Sequence, residues 1–389
     1  MRVAVTGVGV VAPCGIGRDA FWAGLLAVPE DRRVRSVEGF DPAPLYGPKE
    51  VRRVDRFAQF ALAAATEALD DAASGGDLGA DPARCGVVIG TGVGGLATLE
   101  EQVQVRLEKG ERRVSPFLVP MMMSNAAAAG VSMRLGWRGP CETITTACAA
   151  GTHSIGAGLR LVQSGRCDVV LAGGTESALT ATAIAGFANM TALSSSGVSR
   201  PFDAERDGFC IAEGAGVLVL ESYERAVARG ARIYCELAGA ASNADAHHIT
   251  APSPGGAGAA ACMELALADA GVRAGDVGHV NAHGTSTPLN DAAEAEAIAK
   301  VFGSSSTTPA VTSIKGVTGH SLGAAGALEA AASVLTIARG VIPPTARYAT
   351  PDPEIAVDVV SSPRDWDPAP VLSNSFGFGG HNGCLVFVP

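Results

Sequence analysis

The sequence has few charges for its size. Only 17% of its 389 residues are charged, whereas 47% are hydrophobic; an ordinary soluble domain has roughly 25% charged residues. This composition excludes a disordered chain and favours a large core with further surface buried in an oligomer. The net charge is −10, so the chain is not expected to bind nucleic acid as a general partner.

Paired cysteines and long apolar runs are also lacking. The nine cysteines stand singly, without a CxxC pair, which excludes a disulfide scaffold and predicts a reducing, cytoplasmic location. The strand-like segment Val3–Thr6 begins the chain directly, so no signal peptide is expected. No stretch approaches 18 apolar residues free of charges and turn signals, and we therefore expect no membrane span.

What the sequence does contain is an alternation of apolar strand-like runs and helical patterns, which predicts an α/β architecture. The predicted strands are Val3–Thr6, Gly86–Ile89, Asp168–Ala172, Gly216–Glu221, Ile233–Leu237, Val277–Asn281, Ala310–Ile314, Val371–Ser373 and Gly383–Val388. The predicted helices are Asp55–Ala73, Ala149–Gln163, Gly258–Leu267, Asp291–Phe302 and Leu322–Ala338.

One local pattern occurs twice. A helix rich in small residues opens at Ala149-Ala150-Gly151 and ends at Gly165, and a second opens at Ala324-Ala325-Gly326 and ends at Gly340. Alanine-rich helices can look alike by chance, but the equal lengths indicate a duplicated fold. We predict two halves, residues 1–230 and 231–389.

A serine motif suggests one kind of chemistry. Gly319-His320-Ser321-Leu322-Gly323 matches the G-x-S-x-G nucleophile elbow of α/β-hydrolases, and His381 follows it with Asp358 or Asp365 in between. An esterase using Ser321 is therefore one hypothesis. Against it, residues 315–318 separate the preceding strand from the elbow, and the hydrolase interpretation leaves other candidate residues unexplained.

A cysteine suggests a second kind of chemistry. Cys148 follows the β-branched run Thr143-Ile144-Thr145-Thr146 and precedes a helical run of small residues. A thiol at the N-terminus of a helix is expected to have a lowered pKa, because unpaired N–H groups and the helix dipole stabilise the thiolate. The alternative is a buried structural cysteine, which is common.

Two histidines favour the catalytic interpretation of Cys148. His283 and His320 each follow a predicted strand in a glycine-flanked turn, and such turns are where α/β folds place their chemistry. A nucleophilic cysteine with histidine partners far away in the sequence is typical of thiolate catalysis. The same three residues could also bind zinc, although no carboxylate or closely spaced ligand pair accompanies them.

With these residues the sequence resembles the β-ketoacyl-acyl carrier protein synthases, the elongating condensing enzymes of the thiolase superfamily. The resemblance covers nearly the whole chain. It is carried by separated motifs in the family's order: Thr145-Thr146-Ala147-Cys148, Ser199-Arg200-Pro201-Phe202-Asp203, Glu205-Arg206-Asp207-Gly208-Phe209, His283-Gly284-Thr285-Ser286-Thr287, residues 315–323, and Asn374-Ser375-Phe376-Gly377-Phe378-Gly379-Gly380-His381-Asn382.

The resemblance implies a role for each matching residue in the catalytic centre. Cys148 would accept the acyl group, and His283 and His320 would assist decarboxylation of the malonyl unit. Lys315 would support the histidines electrostatically. The backbone N–H groups of Cys148 and Phe378 would form the oxyanion hole.

It implies further roles around that centre. Glu329 is expected to be a supporting carboxylate behind the histidines, and Asp291 a similar one. Thr285 and Thr287 would bind the phosphopantetheine arm, and Phe378 would gate the acyl pocket.

The family's fold is a thiolase-like, duplicated five-layer α-β-α-β-α arrangement. The implied reaction is a decarboxylative Claisen condensation of an acyl group on Cys148 with malonyl-acyl carrier protein, without a metal or other cofactor. Two histidines are typical of elongating enzymes, and the intact cysteine argues against the chain-length-factor relatives. A non-catalytic partner subunit of a heterodimer is nevertheless kept as an alternative.

The resemblance leaves the pathway and the partners open. The chain is expected to bind acyl carrier protein and to form a homodimer or a heterodimer with a chain-length-factor-like subunit. Residues 28–53 and 194–198 look shorter than in the family, which favours type II polyketide over fatty acid biosynthesis slightly. Met121–Met123 could line the acyl tunnel or a subunit interface. Arg52, Arg53, Arg56 and residues 109–113 could dock the acidic carrier.

Overall fold

The computed structural model describes residues 1–73, 78–303 and 308–389. Up to residue 230 its helices and strands are β1 (Val3–Ala12), β2 (Gly15–Ile16), α1 (Arg18–Leu25), β3 (Val34–Arg35), α2 (Arg56–Ala73), β4 (Cys85–Gly90), α3 (Leu96–Lys109), α4 (Leu118–Met122), α5 (Ala126–Leu135), β5 (Cys141–Glu142), α6 (Ala150–Gln163), β6 (Val169–Glu176), α7 (Ala181–Asn189), β7 (Ile211–Ala212), β8 (Gly214–Ser222) and α8 (Tyr223–Ala228).

After residue 230 they are β9 (Cys235–Ala244), α9 (Ala257–Ala270), β10 (His279–Asn281), α10 (Pro288–Phe302), β11 (Ala310–Thr312), α11 (Lys315–Thr318), α12 (Ala325–Arg339), β12 (Val341–Ile342), β13 (Asp358–Val359), β14 (Arg364–Asp365), β15 (Val371–Gly377) and β16 (His381–Val388). Every predicted strand and helix overlaps one of these elements. Helices α1, α3, α4, α5, α7, α8 and α11 are not among the predicted helices, because they are short or their apolar spacing is interrupted by charged or small residues.

Most strands form one continuous sheet with two parts of matching design, called here the first and the second sheet, while β12 with β14 and β3 with β7 form separate two-stranded sheets. The first sheet runs β1-β8-β6-β4-β5 and the second β9-β16-β15-β10-β11-β13, joined edge to edge where β1 pairs with β9 over Ala4 and Val5. In both sheets the first two pairings are antiparallel and the next two are parallel. The repeated order and directions are those of a duplicated fold.

Helices separate and cover these sheets in five layers. Helices α6 and α12 lie between the sheets and contact both of them, and α2 and α5 cover the outer face of the first sheet. Helices α9 and α10 cover the outer face of the second sheet. Each layer boundary is a cluster of buried Val, Leu, Ile, Ala and Phe side chains. The predicted five-layer α-β-α-β-α fold is confirmed; the boundary between residues 230 and 231 stays a prediction.

Two glycines explain why β1 is longer than predicted. The predicted strand ends at Thr6, yet β1 continues through Gly7 and Gly9 to Ala12. A Cβ on Gly9 would lie 1.8 Å from the Ala64 carbonyl oxygen, and one on Gly7 would lie 2.1 Å from that of Ala68. These glycines therefore let α2 approach the strand rather than bend the chain.

One helical segment among the described residues, Leu322–Arg339, has the length and hydropathy of a membrane span, and 89% of it is buried inside the protein. It consists mainly of α12, which lies between the two sheets. A helix covered by protein on all sides needs apolar residues all round for packing.

Candidate active site

The predicted nucleophile lies on a sharp turn between the irregular residues 143–146 and α6. Ala147 adopts a left-handed conformation with φ 50°, residues Ala147–Ala149 form a 3₁₀ turn, and α6 begins at Ala150. A left-handed conformation is uncommon outside glycine and often marks functional turns. Cys148 is 7% exposed and borders a cavity.

His320 reaches the thiol from the other half of the chain. Its Nε2 lies 3.1 Å from the Cys148 Sγ. The His320 backbone is fixed beside β7, because its N–H donates to the Cys210 carbonyl at 2.8 Å and its carbonyl accepts from the Ala212 N–H at 2.9 Å. The Phe209 ring packs edge-on against the imidazole. The distance and the restraints suit a proton acceptor for the thiol.

His283 lies beside His320, with ring centroids 5.5 Å apart. Behind it the Lys315 Nζ lies 3.2 Å from the His283 Nδ1 and also contacts the His283 carbonyl and the Glu329 carboxylate. An ammonium group can only donate, so Nδ1 accepts and the proton of the neutral ring is on Nε2. Lys315 thereby fixes the His283 tautomer, and Glu329 neutralises the buried lysine.

Glu294 is a supporting residue that the sequence analysis missed. Its carboxylate accepts from the backbone N–H groups of His283 at 2.8 Å and of Gly284 at 2.7 Å. Burial raises its pKa to about 7, while these two bonds oppose the rise. A carboxylate three residues after Asp291 on an alanine-rich helix is the signal that could have revealed it.

Asp291 supports a different part of the same loop. Its carboxylate accepts from the N–H groups of Phe202 at 2.8 Å and Ser286 at 3.1 Å. Ser286 has a φ of 70°, so the bond holds a left-handed residue in place. Thr285 and Thr287 both border the cavity, and their hydroxyl oxygens lie 2.9 Å apart.

Burial sets the protonation states of the three central residues. It raises the pKa of the Cys148 thiol to about 11, although the Lys315 charge and a hydrogen bond from the Phe378 N–H act in the opposite direction. The predicted lowering of this pKa by the helix N-terminus is therefore wrong, because the burial by distant segments outweighs the dipole. Burial, with Lys315 nearby, also lowers the pKa of His283 and His320 well below 6.5, so both rings are neutral.

One backbone N–H group reaches the thiol from the second half of the chain. The Phe378 N–H donates towards Cys148. The preceding Gly377 lies so close to the turn that a Cβ there would be 3.2 Å from the Cys148 nitrogen and 2.9 Å from the Thr146 carbonyl oxygen. Glycine at 377 thus allows the Phe378 strand end to approach the Cys148 turn.

These groups face a cavity of about 370 Å³ that reaches the surface. Its wall includes the apolar side chains of Phe187, Phe209 and Leu322. Its rim includes Met190 and Leu289, which are 46% and 67% exposed. The cavity therefore gives the buried thiol access to a bulky apolar substrate.

The same three side chains also form a donor set for a metal ion. The Cys148 Sγ and one ring nitrogen each of His283 and His320 lie within 4.8 Å of one another, and such ligands suit zinc. The Lys315 ammonium, 3.2 Å from the Nδ1 of His283, opposes a second positive charge there.

The residues of the hydrolase hypothesis are not brought together. Ser321 is buried, and its hydroxyl has no hydrogen-bond partner among the described residues. Asp358 pairs with Arg364 instead of a histidine. The elbow also lacks its strand, since β11 ends at Thr312 and the short helix α11 follows.

The structure changes two further predictions, one about the lining of the acyl tunnel and one about the docking residues. None of Met121–Met123 borders the Cys148 cavity; Met121 and Met123 line a separate groove with Tyr46 and Arg53. Arg56 is committed to an internal ion pair with Glu213, so it is not free to dock a partner. The remaining predicted docking residues are exposed.

Comparison with known proteins agrees with this geometry. Residues 28–226 match the family "Beta-ketoacyl synthase, N-terminal domain", and residues 234–349 match "Beta-ketoacyl synthase, C-terminal domain". The chain is 44% identical to 3-oxoacyl-[acyl-carrier-protein] synthase 2 of Synechocystis over 99% of this chain and 97% of that protein. It is 43% identical to the Staphylococcus aureus MRSA252 protein of the same name, over 100% and 98%.

Solved structures of ketosynthases are also similar to this chain. "The ishigamide ketosynthase/chain length factor" superimposes with a TM-score of 0.92 at 35% identity, over 100% of this chain and 98% of that one. A ketosynthase complex described as "type II PKS acyl-carrier protein in complex with its ketosynthase bound to the hexaketide" superimposes with a TM-score of 0.89 at 34% identity and the same coverage. The chain therefore belongs to the β-ketoacyl synthase family.

Proposed function

We propose that this enzyme condenses an acyl group held on Cys148 with malonyl-acyl carrier protein. One observation carries the proposal: the Cys148 Sγ lies 3.1 Å from the His320 Nε2, with His283 beside it in an apolar cavity. A nucleophile, a base and a second imidazole at one point are the requirements of acyl transfer followed by enolate chemistry.

In the first half-reaction the thiol acts with His320 as its base. The thiol proton moves to the His320 Nε2 as the sulfur attacks the carbonyl carbon of the acyl thioester. The resulting oxyanion accepts hydrogen bonds from the N–H groups of Cys148 and Phe378; such donors are worth roughly 3–4 kcal/mol each. Collapse releases the carrier thiolate, which takes the proton from His320 and leaves Cys148 acylated.

In the second half-reaction the malonyl thioester loses CO₂. The electron pair of the breaking C–C bond moves into an enolate, whose oxygen accepts from the His283 Nε2–H that Lys315 orients. His320 supports the same oxygen in the tautomer that carries its ring proton on Nε2, the form opposite to the one that acts as base in the first half-reaction. The enolate carbon then attacks the acyl-Cys148 carbonyl, and expulsion of the Cys148 thiolate gives a β-keto product two carbons longer. No redox or metal cofactor takes part in this scheme.

The carrier is proposed to dock on an exposed basic surface near residues 49–53 and 109–113. Lys49, Arg52 and Arg53 line a shallow groove with Phe117. Arg112 and Arg113, which precede Phe117 by five and four residues, are also exposed. None of these four arginines forms an ion pair with another described residue. A row of unpaired cations suits an acidic partner. Thr285 and Thr287 are proposed to contact the phosphopantetheine arm inside the cavity.

A second subunit is proposed to cover an apolar face. Leu107, Val119 and Met133 are 72%, 56% and 77% exposed on α3, α4 and α5. Beside them β5, which among the described residues pairs with β4 alone, ends the sheet with an open edge. Such an edge and face suit pairing with a second copy of this chain or a related subunit.

All nine cysteines, each of which lies in the described residues, are free, consistent with the proposed cytoplasmic location.

The test is intact-protein mass spectrometry after incubation with acyl-carrier protein. We expect wild type to gain one acyl mass on Cys148 and Cys148→Ala to gain none. Ser321→Ala is the matched control and should be acylated like wild type. Acylation of Cys148→Ala, or none in wild type alone or with a partner subunit, would contradict the proposal. Carrier proteins loaded with acyl groups of different length then define the substrate range in fatty acid or polyketide synthesis.

A further inference from the structure

His153 is a half-buried histidine that does not border the cavity but lies behind the Cys148 turn. Its Nε2 lies 3.0 Å from the Asn382 carbonyl oxygen, and its Nδ1 lies 2.8 Å from the Thr146 hydroxyl. A carbonyl can only accept, so the proton is on Nε2, and the Thr146 hydroxyl must donate to Nδ1. Burial lowers the pKa of His153, which favours this neutral form.

The two partners of His153 belong to the two segments that form the oxyanion hole. Thr146 lies immediately before the 3₁₀ turn that holds the Cys148 N–H. Asn382 lies in β16, four residues after Phe378 and directly across the ladder from Phe376. The imidazole therefore bridges the segment that carries one N–H donor to the hairpin that carries the other.

Both ends of the bridge are firmly anchored. The Asn382 side chain donates to the side-chain Oδ1 of Asn243 at 2.9 Å and to the Asp245 carboxylate at 2.8 Å. Gly383 leaves room for the ring, since a Cβ there would lie 2.8 Å from the His153 Cδ2. At the other end the Thr146 carbonyl accepts from the Ala149 N–H at 3.1 Å.

We propose that His153 is a positioning residue that sets the separation of the Cys148 and Phe378 N–H donors by bridging the Thr146 hydroxyl to the Asn382 carbonyl. The inference rests on the proposed function, since only a thioester reaction needs that oxyanion hole. Donors of this kind act only when their spacing fits the transition state, and a misplacement near 1 Å can cost about 100-fold in rate.

The test compares two reactions of the same thiol. Acylation by an acyl thioester needs the oxyanion hole, whereas alkylation by iodoacetamide, followed at the Cys148 peptide by mass spectrometry, does not. We expect H153L and T146V each to slow acylation about 10- to 100-fold while alkylation stays within about 2-fold of wild type. H153Q and T146S, which keep a donor or acceptor at each end, should recover most of the acylation rate.

A double variant tests whether the bridge acts as a unit. H153L/T146V should acylate no more slowly than the slower single variant, because either change alone already breaks the connection. Losses that multiply, acylation and alkylation that fall together, or unchanged acylation would each overturn the inference. A wild-type enzyme that alkylates at Cys148 but is never acylated would instead overturn the proposed function, and the inference with it.

Discussion

The turn that holds Cys148 has a structural twin at Gly323. Ala147 and Leu322, 175 positions apart, have φ values of 50° and 48°. Each opens a 3₁₀ turn, Ala147–Ala149 or Leu322–Ala324, and each turn leads into a central helix, which begins at residue 150 or 325. The two halves thus use one backbone device twice, with a cysteine in one copy and a glycine at the equivalent position of the other.

The difference lies in what meets the turn's N–H group. At Gly323 the N–H donates at 3.1 Å to the Glu176 carboxylate, whose same oxygen also accepts from the Gly92 N–H at 2.6 Å. At Cys148 the equivalent N–H is one of the two proposed oxyanion donors. One turn therefore binds an acidic oxygen of the protein itself, and the other is proposed to bind an oxygen that appears only during the reaction.

Alanine substitution at the two equivalent positions should have opposite effects: the variant at Gly323 should lose stability, and the variant at Cys148 should lose activity. The loss of stability at Gly323 is the largest effect expected. A Cβ at Gly323 would lie 2.1 Å from the Gly92 nitrogen and 2.8 Å from the Glu176 Oε2. We expect Gly323→Ala to lower the free energy of unfolding by about 3 kcal/mol or more through overpacking. Cys148→Ala should change it by less than about 1 kcal/mol and still abolish acylation.

Urea unfolding of both variants measures this contrast. Equal stabilities for the two alanine variants would show that the turns tolerate side chains alike, and the glycine would then need no steric explanation.

The sequence was sufficient to predict the repeat and the central residues. The Ala-Ala-Gly runs at 149–151 and 324–326 have the same 175-residue offset as the two turns, because close helix packing needs small residues in both copies. Cys148, His283, His320 and Lys315 were predicted from motifs, and the structure brings them together.

What the sequence could not predict depends on partners distant along the chain. The pKa of Cys148 follows from burial by both halves of the molecule rather than from its own helix. The Nε2 of His153 meets the backbone carbonyl of Asn382, 229 residues away. Local patterns carry no signal for such contacts, since the contacts exist only once the layers have packed.

The next largest effect concerns pH and the carboxylate that occupies the Gly323 turn. Burial raises the pKa of Glu176 from 4.5 to about 7, although four donors oppose it. A raised pKa in the folded state means that the stabilising contribution is complete below about pH 4.5 and lost as the pH rises through 7. At about 1.4 kcal/mol per pH unit, the titration of Glu176 should lower the free energy of unfolding of wild type by roughly 2–3 kcal/mol between pH 5 and 8.

Glu176→Gln should lack that part of the pH dependence. Urea unfolding at pH 5, 6.5 and 8 checks the difference between the two proteins, which cancels the contributions of other buried acids. Glu264→Gln, on the exposed side of α9, is the matched control and should follow wild type. A Glu176→Gln profile parallel to wild type would mean that the carboxylate is not desolvated in the turn.

The smallest effect should come from a glycine that the two central helices do not share. Gly156 in α6 corresponds to Ala331 in α12, and a Cβ at Gly156 would meet the Ala240 Cβ at 3.2 Å. Alanine gains up to about 1 kcal/mol of helix propensity, which this tight contact partly offsets, so Gly156→Ala should remain within about 0.5 kcal/mol of wild type.

Gly151, which corresponds to Gly326, is the matched control. A Cβ at Gly151 would lie 2.8 Å from the Ala327 nitrogen, so Gly151→Ala should lower the free energy of unfolding by about 1–3 kcal/mol. Thermal unfolding of the two variants separates a glycine required where the helices touch from one that the duplication has left free to change.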